Sequence, residues 1–113
     1  MKTLYGETKI NEKDSEDIGK KTSIKLKYYK IKSLIIKTKR KKYGIEIVKE
    51  ELNGKSKTKE RTVEKYISNS EQVIEKLLKL LVKNKVTPVT TNDIITDLRK
   101  CPELIYNPDQ NKE

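Results

Sequence analysis

Apolar and polar positions begin to alternate at Ile24. Ile24, Leu26 and Tyr28 are separated by Lys25 and Lys27, the period of a strand with one wet face. The phase slips at Tyr28-Tyr29, where Tyr29 and Ile31 continue in the opposite parity between Lys30 and Lys32, so either a bulge lies near the tyrosine pair or the strand twists across it. The lysines would then share a face over each half of the strand. The apolar run Ser33-Leu34-Ile35-Ile36 closes it. Lys37 to Lys42 holds too many like charges for a packed face and predicts a loop. Period two resumes at Tyr43, Ile45 and Ile47, so strands over about 24–36 and 43–52 should pair as an antiparallel hairpin with the basic run at its tip.

Asn53-Gly54 is a strong hairpin signal. A two-residue turn there sets Val63 across from Gly44 and puts Glu60, Thr62 and Glu64 on the face of Ile45 and Ile47, a poor core. A three-residue loop, Asn53-Gly54-Lys55, brings Val63 to Ile45 and Arg61 to Ile47, and is preferred because a one-residue slip exchanges the faces of the whole strand. The third strand then spans about 56–67. Ser68-Asn69-Ser70-Glu71 has the spacing of a capping box. The stripe Val73, Ile74, Leu77, Leu78 and Leu81 predicts a helix over 70–83, the natural cover for a sheet too small to be stable bare. Thr87-Pro88 breaks the pattern, and Thr90-Thr91-Asn92-Asp93 offers caps for a second helix over 92–101, with Ile94, Ile95, Leu98 and Cys101 apolar.

These elements predict an α+β fold, a three-stranded antiparallel β-meander covered by two C-terminal helices, in a single domain over 20–101. Residues 1–19 carry five carboxylates against three lysines, with Leu4, Ile10 and Ile18 too far apart to make a face, and read as a flexible acidic tail. Residues 102–113 read as a fraying C-terminal tail.

Charge sharpens this picture. Between Lys20 and Lys42 stand eleven cations and no carboxylate, while the whole chain is +10, so basicity is local. A localised positive field usually has a partner. Lys25, Lys27, Lys30, Lys32, Lys37, Lys39, Arg40, Lys41 and Lys42 are the candidate binding residues, for nucleic acid or for an acidic protein surface; the competing explanation is a solvated edge strand whose lysines prevent sheet pairing. One Arg among the eleven argues against dense reading of bases. Tyr28, Tyr29, Tyr43 and Tyr66 could stack single-stranded bases, but at strand spacing they read first as core edge. A helix-turn-helix is disfavoured by the long connection from Asn84 to Thr91 and by Asp93 and Asp97 on the second helix.

No catalytic constellation stands in the chain. His is absent, and Cys101, the sole cysteine, has no base to activate it and permits no internal disulfide. Glu46, Glu50, Glu51, Glu60 and Glu64 read as exposed cross-strand charge pairs rather than a carboxylate dyad. The four glycines are too scattered for a phosphate loop. The sequence thus implies no cofactor or metal. The N-terminal residues lack the apolar run of a signal peptide or membrane span, which predicts a cytoplasmic protein.

The Tyr43-Gly44-Ile45-Glu46-Ile47 strand, the Asn53-Gly54 turn and the ending Val86-Thr87-Pro88-Val89 with Asn92-Asp93-Ile94-Ile95-Thr96-Asp97-Leu98 resemble a family of short proteins from clostridia and related Firmicutes catalogued as of unknown function. The resemblance covers roughly Ile24 to Leu98. It implies no activity and carries over no functional residue; the run Lys37 to Lys42 is more basic than it leads one to expect. The expected function is a small non-enzymatic regulatory or accessory protein acting on DNA or on a DNA-bound protein. The alternative is an interaction module or inhibitor that binds an acidic protein surface, with Leu77, Leu78 and Leu81 or a sheet edge contributing.

Overall fold

The computed structural model describes residues 1–12 and 22–101. Strands β1 (Lys2–Glu12), β2 (Thr22–Ile35), β3 (Arg40–Asn53) and β4 (Ser56–Ser68) precede helices α1 (Glu71–Lys83) and α2 (Pro88–Arg99). The strands form one antiparallel sheet in the order β1-β2-β3-β4, and both helices pack on one of its faces. The fold is α+β as expected, but the sheet has four strands and not three. The extra strand is the first part of the expected flexible tail; the rest of that tail and the C-terminal one lie outside the described residues. Its alternation was hidden because the row facing the helices is Gly6, Thr8 and Ile10, with one large apolar residue among three. A bulge at Tyr5 shifts the parity between Leu4 and Gly6, which sends Leu4 to the open face.

That bulge answers the phase slip at the tyrosines. The β2–β3 register runs unbroken from Thr22↔Asn53 to Ile35↔Arg40, so the irregularity sits on the neighbouring strand, where Leu4 pairs with Tyr29 and Gly6 with Tyr28. Tyr28 therefore enters the core and Tyr29 lies on the open face. The hydroxyl of Tyr28 donates to the Val86 carbonyl at 2.9 Å, and burial pushes its pKa up to about 12.

The β3–β4 hairpin turns on Gly54-Lys55, with Asn53 paired to Ser56 and Gly54 at φ +63°. Neither predicted register holds. Val63 faces Glu46, and Thr62 faces Ile47 on the core side, the parity that looked poor. It is tolerated because the buried Thr62 hydroxyl donates to the carbonyl of Pro88 at 3.2 Å. Further along, Ile45 pairs with Glu64 but Tyr43 with Ser68, so β4 bulges opposite Gly44 and returns Ile67 to the core. A Cβ on Gly44 would lie 1.9 Å from the Glu64 carbonyl oxygen, so only glycine admits this approach.

The cap of α1 is Ser70 and not Ser68: the Ser70 hydroxyl accepts from the Val73 amide, while the Ser68 hydroxyl accepts from the Ser70 amide at 3.0 Å. The stripe Ile74, Leu77, Leu78 and Leu81 is buried against Leu26, Tyr28, Tyr43, Ile45 and Ile47. Pro88 begins α2 instead of breaking it, four residues earlier than predicted. Thr87 caps the helix, and proline is well suited to a first position whose N–H has no partner. Among the described residues no helix is long and apolar enough to cross a membrane.

Candidate nucleic-acid interface

The nine candidate cations separate into two groups. Three sit where β2 is flanked on both sides, and each is held by carboxylates. Lys25 meets Glu7 of β1 at 3.1 Å, Lys27 meets Glu50 of β3 at 3.7 Å, and Lys30, facing the helices, bridges Glu71 and Glu75 at the start of α1, both at 3.0 Å. The hydrogen bonds that Lys30 donates to Glu71 and Glu75 raise its pKa above the ordinary value, and Tyr43 beside them is raised by burial and by the charge on Glu71. These lysines join β2 to β1, β3 and α1 and are poorly placed to seek an outside anion.

Lys32, Lys37, Lys39, Arg40, Lys41 and Lys42 differ. None of the six forms an ion pair with a described residue, and all but the half-buried Lys42 are exposed. The topology explains why. β1 pairs with β2 as far as Ile31, with Met1 exchanging backbone hydrogen bonds with Lys32, and β4 leaves β3 at Tyr43. Beyond those points residues 33–42 continue as a two-stranded ribbon paired only with itself. The loop is shorter than predicted: the turn is Ile36 to Lys39, and Arg40, Lys41 and Lys42 belong to β3. The Thr38 amide donates to the Ile35 carbonyl at 3.3 Å, and Lys39 closes the turn at φ 53°. Like charges on a ribbon without a third strand stay hydrated, so they cost little to expose and remain available to a polyanion.

The other sequence candidates are dispersed. Tyr28 and Tyr43 are core residues, Tyr29 lies on the open face with the Lys2 ammonium 4.6 Å from its ring centroid, and Tyr66 is exposed at the β4 bulge, so the four make no stacking row. Glu46 is not exposed; it is 6 % accessible on the open face and paired to Lys2 at 3.1 Å. Leu77, Leu78 and Leu81 are buried in the core and offer nothing to a partner, which corrects the expectation for the interaction module. The helix connection is four residues and not eight, so its length no longer argues against a helix-turn-helix. The charge of α2 still does, because Arg99 is held by Glu64 at 2.7 Å and Lys100 lies 3.9 Å from Asp97.

The model of a family of unknown function (DUF6514) matches residues 7–100. The chain belongs to DUF6514. The match reaches further than the resemblance seen in the sequence: it begins inside β1 and extends through α2, so all six elements of this DUF6514 member lie wholly or partly within it. Searches of the curated proteins and of the solved structures each found no match.

What the sequence missed at the ribbon is apolar. Leu34 and Ile36 belong to the apolar run expected to close the strand, and they are 60 % and 85 % accessible. The signal was available in the charge of their neighbours, since a strand end followed by six positions with five cations has nothing to pack against.

Proposed function

We propose that the protein is a small, non-enzymatic accessory or regulatory factor that binds DNA, or a DNA-bound complex, through the basic ribbon of residues 33–42 with Lys32 at its base. The observation that carries this reading is the segregation of charge: Lys25, Lys27 and Lys30 are matched by carboxylates, whereas Lys32 and the five cations of the ribbon have no carboxylate partner among the described residues. A two-stranded ribbon fits the major groove as it stands and the minor groove once that is widened, and lysine-rich contacts of this kind neutralise phosphates without reading sequence. Its setting, on this reading, is the cytoplasm of a bacterium, in keeping with the resemblance to short clostridial proteins. A second reading, an acidic protein surface without nucleic acid, is favoured by Leu80 and Val89, which are 56 % and 64 % accessible on the helices away from the ribbon.

The test is titration of an end-labelled generic duplex and of a single strand across salt. Six neutralised phosphates predict a slope of log affinity against log salt of about −5, roughly a thousandfold loss between 50 and 200 mM. Reversing Lys39, Arg40, Lys41 and Lys42 to Glu should abolish binding with the circular dichroism spectrum unchanged. Absence of binding at low salt, or binding that the reversal spares, overturns the proposal. In that case the helix positions become the place to look, through Leu80→Lys and Val89→Lys and a partner complex that survives moderate salt.

A further inference from the structure

We infer that Ile36 is a wedge that enters the stacked bases of a bound duplex and bends it; the inference rests on the DNA reading above and assigns the ribbon tip a role that charge alone does not give. In the turn closed by the Thr38-to-Ile35 hydrogen bond, Ile36 is the first residue past the strand and opens the four-residue turn at the end of the ribbon. Such a position normally holds a turn former or a polar residue. Here it is an aliphatic side chain with 85 % of its surface in water, followed by Lys37, Lys39, Arg40, Lys41 and Lys42 and preceded by Leu34, itself 60 % accessible. A lone exposed isoleucine is ordinary. An exposed isoleucine at the end of a projecting ribbon, followed within six residues by five cations that have no ion-pair partner among the described residues, is placed where the ribbon's own charge would carry it into a groove.

The dimensions are compatible. From Lys32, where Met1 provides the last backbone pairing from β1, to Ile36 the chain rises roughly 13 Å at 3.3 Å per residue, enough to pass the phosphates and reach the base pairs. An undistorted minor groove, about 6 Å wide, is too narrow for two strands, and inserting an aliphatic side chain between base steps is what opens it, kinking the duplex by about 20–90°. The composition agrees: with one Arg among the six cations the ribbon is poor at hydrogen-bonded base reading and suited to binding by deformation, with preference for flexible pyrimidine–purine steps.

The experiment uses the full chain and a duplex of about 25 base pairs carrying a donor and an acceptor at its ends, with affinity and energy transfer measured on the same samples. Wild type should raise the transfer efficiency on binding. Ile36→Ser should bind within about tenfold of wild type and leave the ends apart, and Ile36→Met should restore the bend. A straight duplex in the wild-type complex, or an equal bend with Ile36→Ser, overturns the wedge while the DNA reading stands. No binding by wild type at low salt overturns both. Vesicles of phosphatidylserine and phosphatidylcholine form the control arm: if wild type binds them, loses them on Ile36→Ser and does not bend DNA, the tip is a membrane-inserting residue and the wedge is again overturned.

Discussion

Replacing Gly44 with alanine tests the least forgiving contact in the fold. The added Cβ would stand 1.9 Å from the Glu64 carbonyl oxygen and 2.5 Å from the Lys65 carbonyl carbon and oxygen, all backbone atoms that no rotamer change can move. A tolerable contact needs upwards of 3 Å, so β4 must retreat by about an ångström at its bulge. That retreat strains the pairing of Ile45 with Glu64 and withdraws Ile67, which is 6 % accessible, from the core. Unseating a buried isoleucine loses about 1.5–3 kcal/mol and each broken ladder bond about 1 kcal/mol, so the variant should lose about 3–5 kcal/mol. Two other glycines calibrate the measurement. Gly54→Ala meets no atom but must hold φ at +63°, about 1 kcal/mol; Gly6→Ala meets the Val82 Cγ2 at 3.0 Å, a side chain that can yield, under about 1 kcal/mol. Urea unfolding followed by circular dichroism should move the Gly44→Ala midpoint by about 2 M and the other two by about 0.5 M. A Gly44→Ala protein as stable as Gly54→Ala would refute the bulge, and with it the seating of Ile67.

Two further predictions concern titration and ion pairing. Tyr28 is buried with its pKa raised to about 12, so the folded state holds its proton more tightly than the unfolded chain does. The contribution is complete below pH 10 and is lost as pH rises from 10 to 12, by about 2–3 kcal/mol; Tyr28→Phe should be less stable at pH 8, by about 1 kcal/mol for the lost bond to Val86, but should fall less steeply above pH 10 in denaturant titrations. The Lys30 bridge to Glu71 and Glu75 should show, in a double-mutant cycle of Lys30→Met with Glu75→Gln, a coupling of about 0.5–1 kcal/mol that shrinks with added salt. A coupling that ignores salt would mean that packing of the lysine stem against α1, rather than its charge, joins helix to sheet.

The sequence made some of this architecture legible and concealed the rest for identifiable reasons. The stripe from Val73 to Leu81 was readable because a helix against a sheet buries every third or fourth residue. The meander was readable because Leu26 and Tyr28 on β2, and Ile45 and Ile47 on β3, alternate with charged residues. The first strand was not, because its inward row relies on Gly6 lying under Val82 and on Thr8, and neither residue advertises burial. The register of β4 depended on a bond between Thr62 and a carbonyl twenty-six residues away, which no local pattern contains. The same limit applied to the ribbon. All nine cations look alike in the sequence, and only the fold brings Glu7, Glu50, Glu71 and Glu75 to three of them while leaving six without a carboxylate among the described residues.

The ribbon adds nothing to the interior: no residue between 32 and 42 belongs to the hydrophobic cluster, although β2 and β3 run without interruption from that cluster out to the turn. Selection can therefore act on the two ends of the same pair of strands almost independently. Substitutions at residues 33–42 can alter what the protein touches, how tightly and with what distortion, without drawing on the stability that Leu26, Tyr28, Ile45 and Ile47 supply. A family sharing this scaffold is free to diversify its contacts by drift in ten residues, and exchanging that segment between members would move a binding preference while the host fold stayed intact.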